Sequence, residues 1–266
     1  MFKRVFSALL LLAFSHATFA EDAAPRGFED TFRAGLASYQ NKDFEKARAE
    51  FNQALSLEPR NTAAMTNFAL TLYQLNEKGA AIAWFRRVLA VDPRQEEARA
   101  GLTFAVSQLE IKEIPHRIET FETLRDNFLQ YIPLKQALVL TALLLLASGW
   151  LLLNWLGERR RTLRLKEPPP PFPFKTAFLC TVFLGMATLL LLKIYDQTIP
   201  RGTIIPPKVA AKASPSDAGV SMFDLHEGFE VIIRDVRDDW VQVTYPGGLT
   251  GWIPKQALIP TQGGGS

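Results

Sequence analysis

The apolar positions of this chain fall into four patterns, and each predicts a different element. From Gln136 to Gly157 no residue is charged, and Leu, Ala and Val dominate. These 22 residues exceed the roughly 20 that a helix needs to cross ~30 Å of hydrocarbon, and they are apolar on every face, so they predict a spanning helix. A second uncharged run of 17 residues, Thr176 to Leu192, predicts another span, with a re-entrant segment as the alternative. Near the start, Met1-Phe2-Lys3-Arg4 is followed by an apolar stretch from Val5 to Phe14 and then by the small residues Thr18 and Ala20. That order describes a secretory signal peptide over residues 1–20, cleaved after Ala20 or retained as an anchor. Between residues 28 and 131 the apolar positions recur at helical spacing, and after Thr198 they alternate at strand spacing.

The helical part repeats itself. Tyr39 aligns with Tyr73, Ala47 with Ala81, Phe51 with Phe85, Leu55 with Leu89 and Pro59 with Pro93, each 34 positions apart. This period and these residue types resemble tetratricopeptide helix pairs. The predicted helices are Phe28–Tyr39 and Phe44–Leu57, then Thr62–Leu75 and Gly79–Val91, with Asn41-Lys42-Asp43 as the first turn. Glu96–Glu110 reads as a capping helix, and an amphipathic helix from Arg117 to Tyr131 leads into the first span. The first helix of each pair lines the concave face of such a stack. Phe32, Leu36, Tyr39, Thr66, Leu70 and Tyr73 fall on it as candidate peptide-binding residues. Packing between helices is the competing role for Tyr39 and Tyr73. The Lys, Asn and Arg clamp for a carboxylate tail is missing from this face, so an acidic-tail ligand does not fit.

Residues 196–262 read as a small all-β barrel of five short strands. Phe229–Val236 and Trp240–Tyr245 are its clearest strands, with Arg237-Asp238-Asp239 and Pro246-Gly247-Gly248 as turns. Leu225-His226-Glu227-Gly228, Asp239-Trp240-Val241-Gln242-Val243 and Gly251-Trp252-Ile253-Pro254 resemble a bacterial SH3-like domain. Phe229, Trp240 and Trp252 are its candidate groove residues, with packing as the alternative for the tryptophans. No aromatic residue follows Pro254 in Lys255-Gln256-Ala257-Leu258, which departs from the polyproline-binding pattern of eukaryotic SH3 domains.

Charge sets the topology. Five of the ten residues Glu158–Lys166 and Glu167 are basic, marking the connection between the spans as cytoplasmic. It continues into a stiff Pro168–Pro173 spacer. Residues 21–133 carry 14 basic and 17 acidic side chains, so the overall charge of +3 reflects membrane orientation and excludes a nucleic-acid face. Lys175 and Lys193 bracket the second span and are expected to snorkel to the headgroups. The expected divisions are a signal peptide (1–20), an exported tetratricopeptide domain (21–131), a transmembrane helix (132–157), a cytoplasmic loop (158–173), a second transmembrane helix (174–195), an exported SH3-like domain (196–262) and a flexible tail (263–266).

That order of parts resembles the BatE family of the Bat aerotolerance clusters, which are encoded beside von Willebrand A-domain membrane proteins and a MoxR-type ATPase. The resemblance implies an adaptor in the bacterial inner membrane with both mature termini in the periplasm. Its partners would be von Willebrand A-domain proteins and the lipid bilayer. An alternative is an envelope sensor that contacts peptidoglycan through the SH3-like domain. No catalytic constellation, cofactor motif or metal-ligand spacing is present. His16, His116 and His226 stand apart from one another, and Cys180 sits inside the second apolar run.

Overall fold

The computed structural model describes residues 27–111, 120–245 and 248–261. The expected signal peptide, His16, Pro115, His116, the Pro246-Gly247 turn and the 263–266 tail lie outside them. Five helices form the first part: α1 (Phe28–Gln40), α2 (Phe44–Leu57), α3 (Thr62–Gln74), α4 (Lys78–Val91) and α5 (Glu96–Ser107). The repeat extends into their turns. Lys42 (φ 62°) and Asn76 (φ 64°), 34 positions apart, both adopt the left-handed conformation. Each ends its helix with the same pair of bonds: Asp43 N–H donates to Ser38 O at 2.9 Å and Lys42 N–H to Tyr39 O at 3.0 Å, matched by Glu77 to Leu72 and Asn76 to Tyr73 at the same distances. Asp43 and Asn61 cap α2 and α3 by accepting from the Lys46 and Ala64 amides.

The aromatic–small pairing legible in the repeat holds the stack together. Phe51 and Phe85 are almost fully buried. A Cβ on Gly35 would lie 2.7 Å from the Phe51 ring, and one on Gly101 would lie 2.5 Å from the Phe85 ring. Glycine at these positions therefore lets α1 and α5 sit directly on the rings. The cap is shorter than expected, ending at Ser107 rather than Glu110. The expected helix to Tyr131 is also interrupted. It becomes α6 (Thr120–Asn127) and a separate 3-10 turn (Leu129–Tyr131), because Phe128 leaves the helical basin at φ −140°.

Helices α7 (Leu134–Leu165) and α8 (Phe174–Thr198) are long and apolar enough to cross a membrane, and an 18-residue stretch of each has a mean hydropathy of 2.1 and 2.2 respectively. They pack on each other, and Ala137, Thr141 and Ser148 are the buried residues of α7, while Trp150, Leu153 and Phe178 are exposed. Helix α7 runs past its apolar stretch, so the first half of the basic connection is helical rather than a loop. Arg and Leu are good helix formers, and no proline intervenes before Pro168. The helix stops at Lys166, which turns left-handed (φ 55°).

The C-terminal part departs from expectation. Among the described residues seven strands form, not five: β1 (Arg201–Ile204), β2 (Lys208–Lys212), β3 (Ser221–His226), β4 (Glu230–Arg237), β5 (Trp240–Tyr245), β6 (Leu249–Pro254) and β7 (Leu258–Pro260). They make one antiparallel sheet in the order β3-β2-β6-β5-β4-β1-β7. Among the described residues β3 and β7 do not pair, so the sheet is open and does not close into the expected small barrel. The sheet nevertheless curls around one core. Leu225 on β3 and Leu258 near the opposite edge share a cluster with Val231, Val241, Val243 and Ile253. The predicted alternation of β5 holds, with Val241, Val243 and Tyr245 facing that core. Asp238 (φ 48°) closes the two-residue β4–β5 hairpin.

Candidate functional site

The helical stack is the first candidate surface. Five of its six sequence-derived residues, Phe32, Leu36, Tyr39, Leu70 and Tyr73, are half-buried and pack on the helical core. The sixth, Thr66, is buried and donates to Thr62 O at 2.7 Å, as a helix-interior threonine often does. Phe32 stacks on Phe28 at 5.6 Å, Tyr39 meets Phe44 edge-on at 5.4 Å, and Tyr73 leans on Phe104 at 5.5 Å. Phe104, which the sequence did not single out, is 54% exposed and extends this aromatic row onto α5.

The three residues assigned to a sheet groove separate. Phe229 is buried and stacks on Tyr245 at 5.2 Å inside the core. Trp240 and Trp252 lie on the opposite face, each beneath a cation: Lys212 Nζ stands 5.0 Å from the Trp240 ring and the Arg237 guanidinium 5.0 Å from that of Trp252. Trp252 is only 6% exposed under this cover. His226 Nδ1 lies 3.2 Å from Pro207 O, in keeping with a turn-bonding role.

The feature that sequence reasoning missed is the junction between stack and sheet. Helix α4 packs against β1 and β7, and Ile205 and Ile259 of the sheet reach into the helical core. Two glycines permit the contact. A Cβ on Gly79 would overlap the carbonyl of Ile205, and one on Gly228 (φ 79°) would lie 2.7 Å from a Leu109 methyl and 2.9 Å from an Ile82 methyl. One Arg86 nitrogen donates to Thr203 Oγ1 at 2.9 Å and to Gly228 O at 2.8 Å.

A buried ionic network continues from there. Arg125 on α6 grips Glu230 on β4 with both terminal nitrogens, at 2.9 and 3.2 Å, and its Nε lies 3.3 Å from Asp196 at the end of α8. Arg201 closes on the same Asp196 oxygen at 2.9 Å. Burial alone would raise the Glu230 carboxyl, but the Arg125, Arg86 and Arg201 guanidinium groups overcome it and hold the group at about 2, against an ordinary 4.5. Lys193 corrects a further expectation. It does not snorkel: it is buried, donates to Leu129 O at 2.8 Å and lies 3.9 Å from Asp196. Arg125 and Glu230 stand 105 positions apart, so no local pattern announces the pair. The available signal was the charged Lys193-Asp196-Arg201 series directly after the uncharged run Thr176–Leu192.

Among the described residues no group of three His, Cys, Asp or Glu side chains is placed to hold a metal. No curated protein matches the chain. Residues 38–103, about a quarter of its length, match the tetratricopeptide repeat family model, so the chain contains tetratricopeptide repeats.

Proposed function

We propose that this chain is a membrane-anchored protein–protein interaction adaptor of the bacterial envelope, working in a Bat-type complex with von Willebrand A-domain membrane proteins. Its two apolar helices cross the inner membrane, with the helical stack and an SH3-like sheet both on the periplasmic side. The observation that carries this reading is the pairing of a tetratricopeptide stack with two largely unburied apolar helices. Such stacks bind partners through their exposed helices and perform no reaction themselves. The sheet seats on α4, the second helix of its pair, while the α1 and α3 residues Phe32, Leu36, Tyr39, Leu70 and Tyr73 keep part of their surface exposed. That placement favours peptide docking on the first helices. The candidate sheet groove is less available, since Trp252 lies under Arg237 and Phe229 is in the core. Tethering the dock to the bilayer raises its effective concentration towards other membrane proteins.

Affinity purification of the full chain in mild detergent, after crosslinking in membranes, tests this. The expected result is recovery of a von Willebrand A-domain membrane protein, lost on Tyr39→Ala/Tyr73→Ala. Recovery of no stable partner refutes the adaptor role, and recovery that ignores the tyrosine pair refutes the docking face.

A further inference from the structure

A cavity of about 730 Å³ opens where the stack, the sheet and the two apolar helices meet. Seven Lys and Arg side chains line it against three carboxylates, a surplus of four positive charges. The carboxylates of Asp196 and Glu230 are committed to Arg125 and Arg201, which fixes those guanidinium groups in place. Arg60 and Lys135 sit on the wall, solvent-exposed and without an ion pair among the described residues. The cavity is lined from Ile132 to Gln136, the entry to α7, and by Gln197 and Ile199, the exit from α8. These are the levels at which an apolar helix passes from hydrocarbon into headgroups. Tyr131, 46% exposed beside them, is a residue type that prefers that depth.

From this geometry we infer that the cavity binds the phosphate of an anionic phospholipid headgroup. The inference rests on α7 and α8 crossing a bilayer. Planar guanidinium groups match phosphate oxygens in pairs, and a lysine adds a point charge. The positive end of the α7 dipole faces the same space, because Leu134, Lys135 and Gln136 of its first turn line it. The volume suits a glycerophosphate group and lies within the usual range of ligand pockets. A lipid held there would bridge both extramembrane parts to the bilayer surface, a role different from docking a partner.

The test uses the full chain in micelles of an uncharged detergent. Thermal unfolding is followed with added phosphatidylglycerol, with added phosphatidylcholine, or with inorganic phosphate at matched concentration. Phosphatidylglycerol is expected to raise the transition by about 5 °C, as a saturating ligand of the folded state does. Phosphatidylcholine should leave it unchanged. Arg60→Gln/Lys135→Gln, which removes two exposed cations and no buried pair, should lose more than half of the shift. An equal shift in this variant, or no shift with phosphatidylglycerol, overturns the site. An equal shift with inorganic phosphate overturns the assignment to lipid. Alkaline carbonate extraction of membranes separates the underlying reading: release of the chain refutes the spanning helices, whereas retention without a phosphatidylglycerol shift refutes only the headgroup site.

Discussion

Replacing Glu230 by glutamine tests the junction directly, because the change keeps the shape and removes the charge. The Glu230 carboxyl lies at about 2 rather than 4.5 in the folded chain. That gap corresponds to about 3 kcal/mol of stability linked to the ionised form. Its side chain is only 18% exposed, so solvent screens little of this. The bidentate grip of Arg125 also loses one oxygen, leaving a buried guanidinium poorly matched. Glu230→Gln should therefore cost about 3 kcal/mol near neutral pH, lowering the unfolding temperature by roughly 6–12 °C. The sign of the pH dependence follows from the lowered value. Stability from this group is fully present above about 4.5 and is lost as pH falls towards about 2. The difference between wild type and Glu230→Gln should shrink over that window. Calorimetry in detergent at pH 7, 4 and 2.5 measures both quantities. A penalty that stays constant with pH, or one below about 0.5 kcal/mol, the range of ordinary surface changes, would refute the buried network.

Further outcomes follow from individual contacts. Gly101→Ala should cost about 1–3 kcal/mol by chemical denaturation, since its Cβ would lie 2.5 Å from the buried Phe85 ring. Lys42→Gly should instead stabilise the chain by up to about 1 kcal/mol, because Lys42 is left-handed (φ 62°) in the first repeat turn. Gly79→Ala should separate stack from sheet, since its Cβ would overlap the Ile205 carbonyl; faster limited proteolysis between residues 198 and 208 would register that separation. The exposed Arg237–Asp235 pair offers a contrast, and Asp235→Asn should change stability by less than about 1 kcal/mol.

The helical elements were legible because a 34-residue repeat states the same packing solution twice. Phe51 and Phe85, the small residues opposite them and the prolines after each pair fix helix positions almost to the residue. The two long apolar helices were legible by length, but not the helical continuation of α7, because a basic run followed by prolines reads as a loop. On the sheet, β5 announced itself by alternation. The outer strands β1 and β7, of four and three residues, are too short to show a period. The three residues read as one groove do not share a face, because which face each takes depends on register. Phe229 and Trp252 end on opposite faces of one sheet. The junction was not legible at all. Gly79 looks like any small residue in a repeat, and Gly228 like any turn glycine, until the other part of the chain lies against them.

The central claim is that stack and sheet form one body on one side of the membrane. Spin labels at Ala37→Cys on α1 and Lys255→Cys after β6, both exposed, in a Cys180→Ser background reconstituted into bilayers, measure it by dipolar spectroscopy. One narrow distance distribution is the predicted result. A broad or multi-peaked distribution, or labels accessible to a membrane-impermeant reductant from opposite sides, would contradict it.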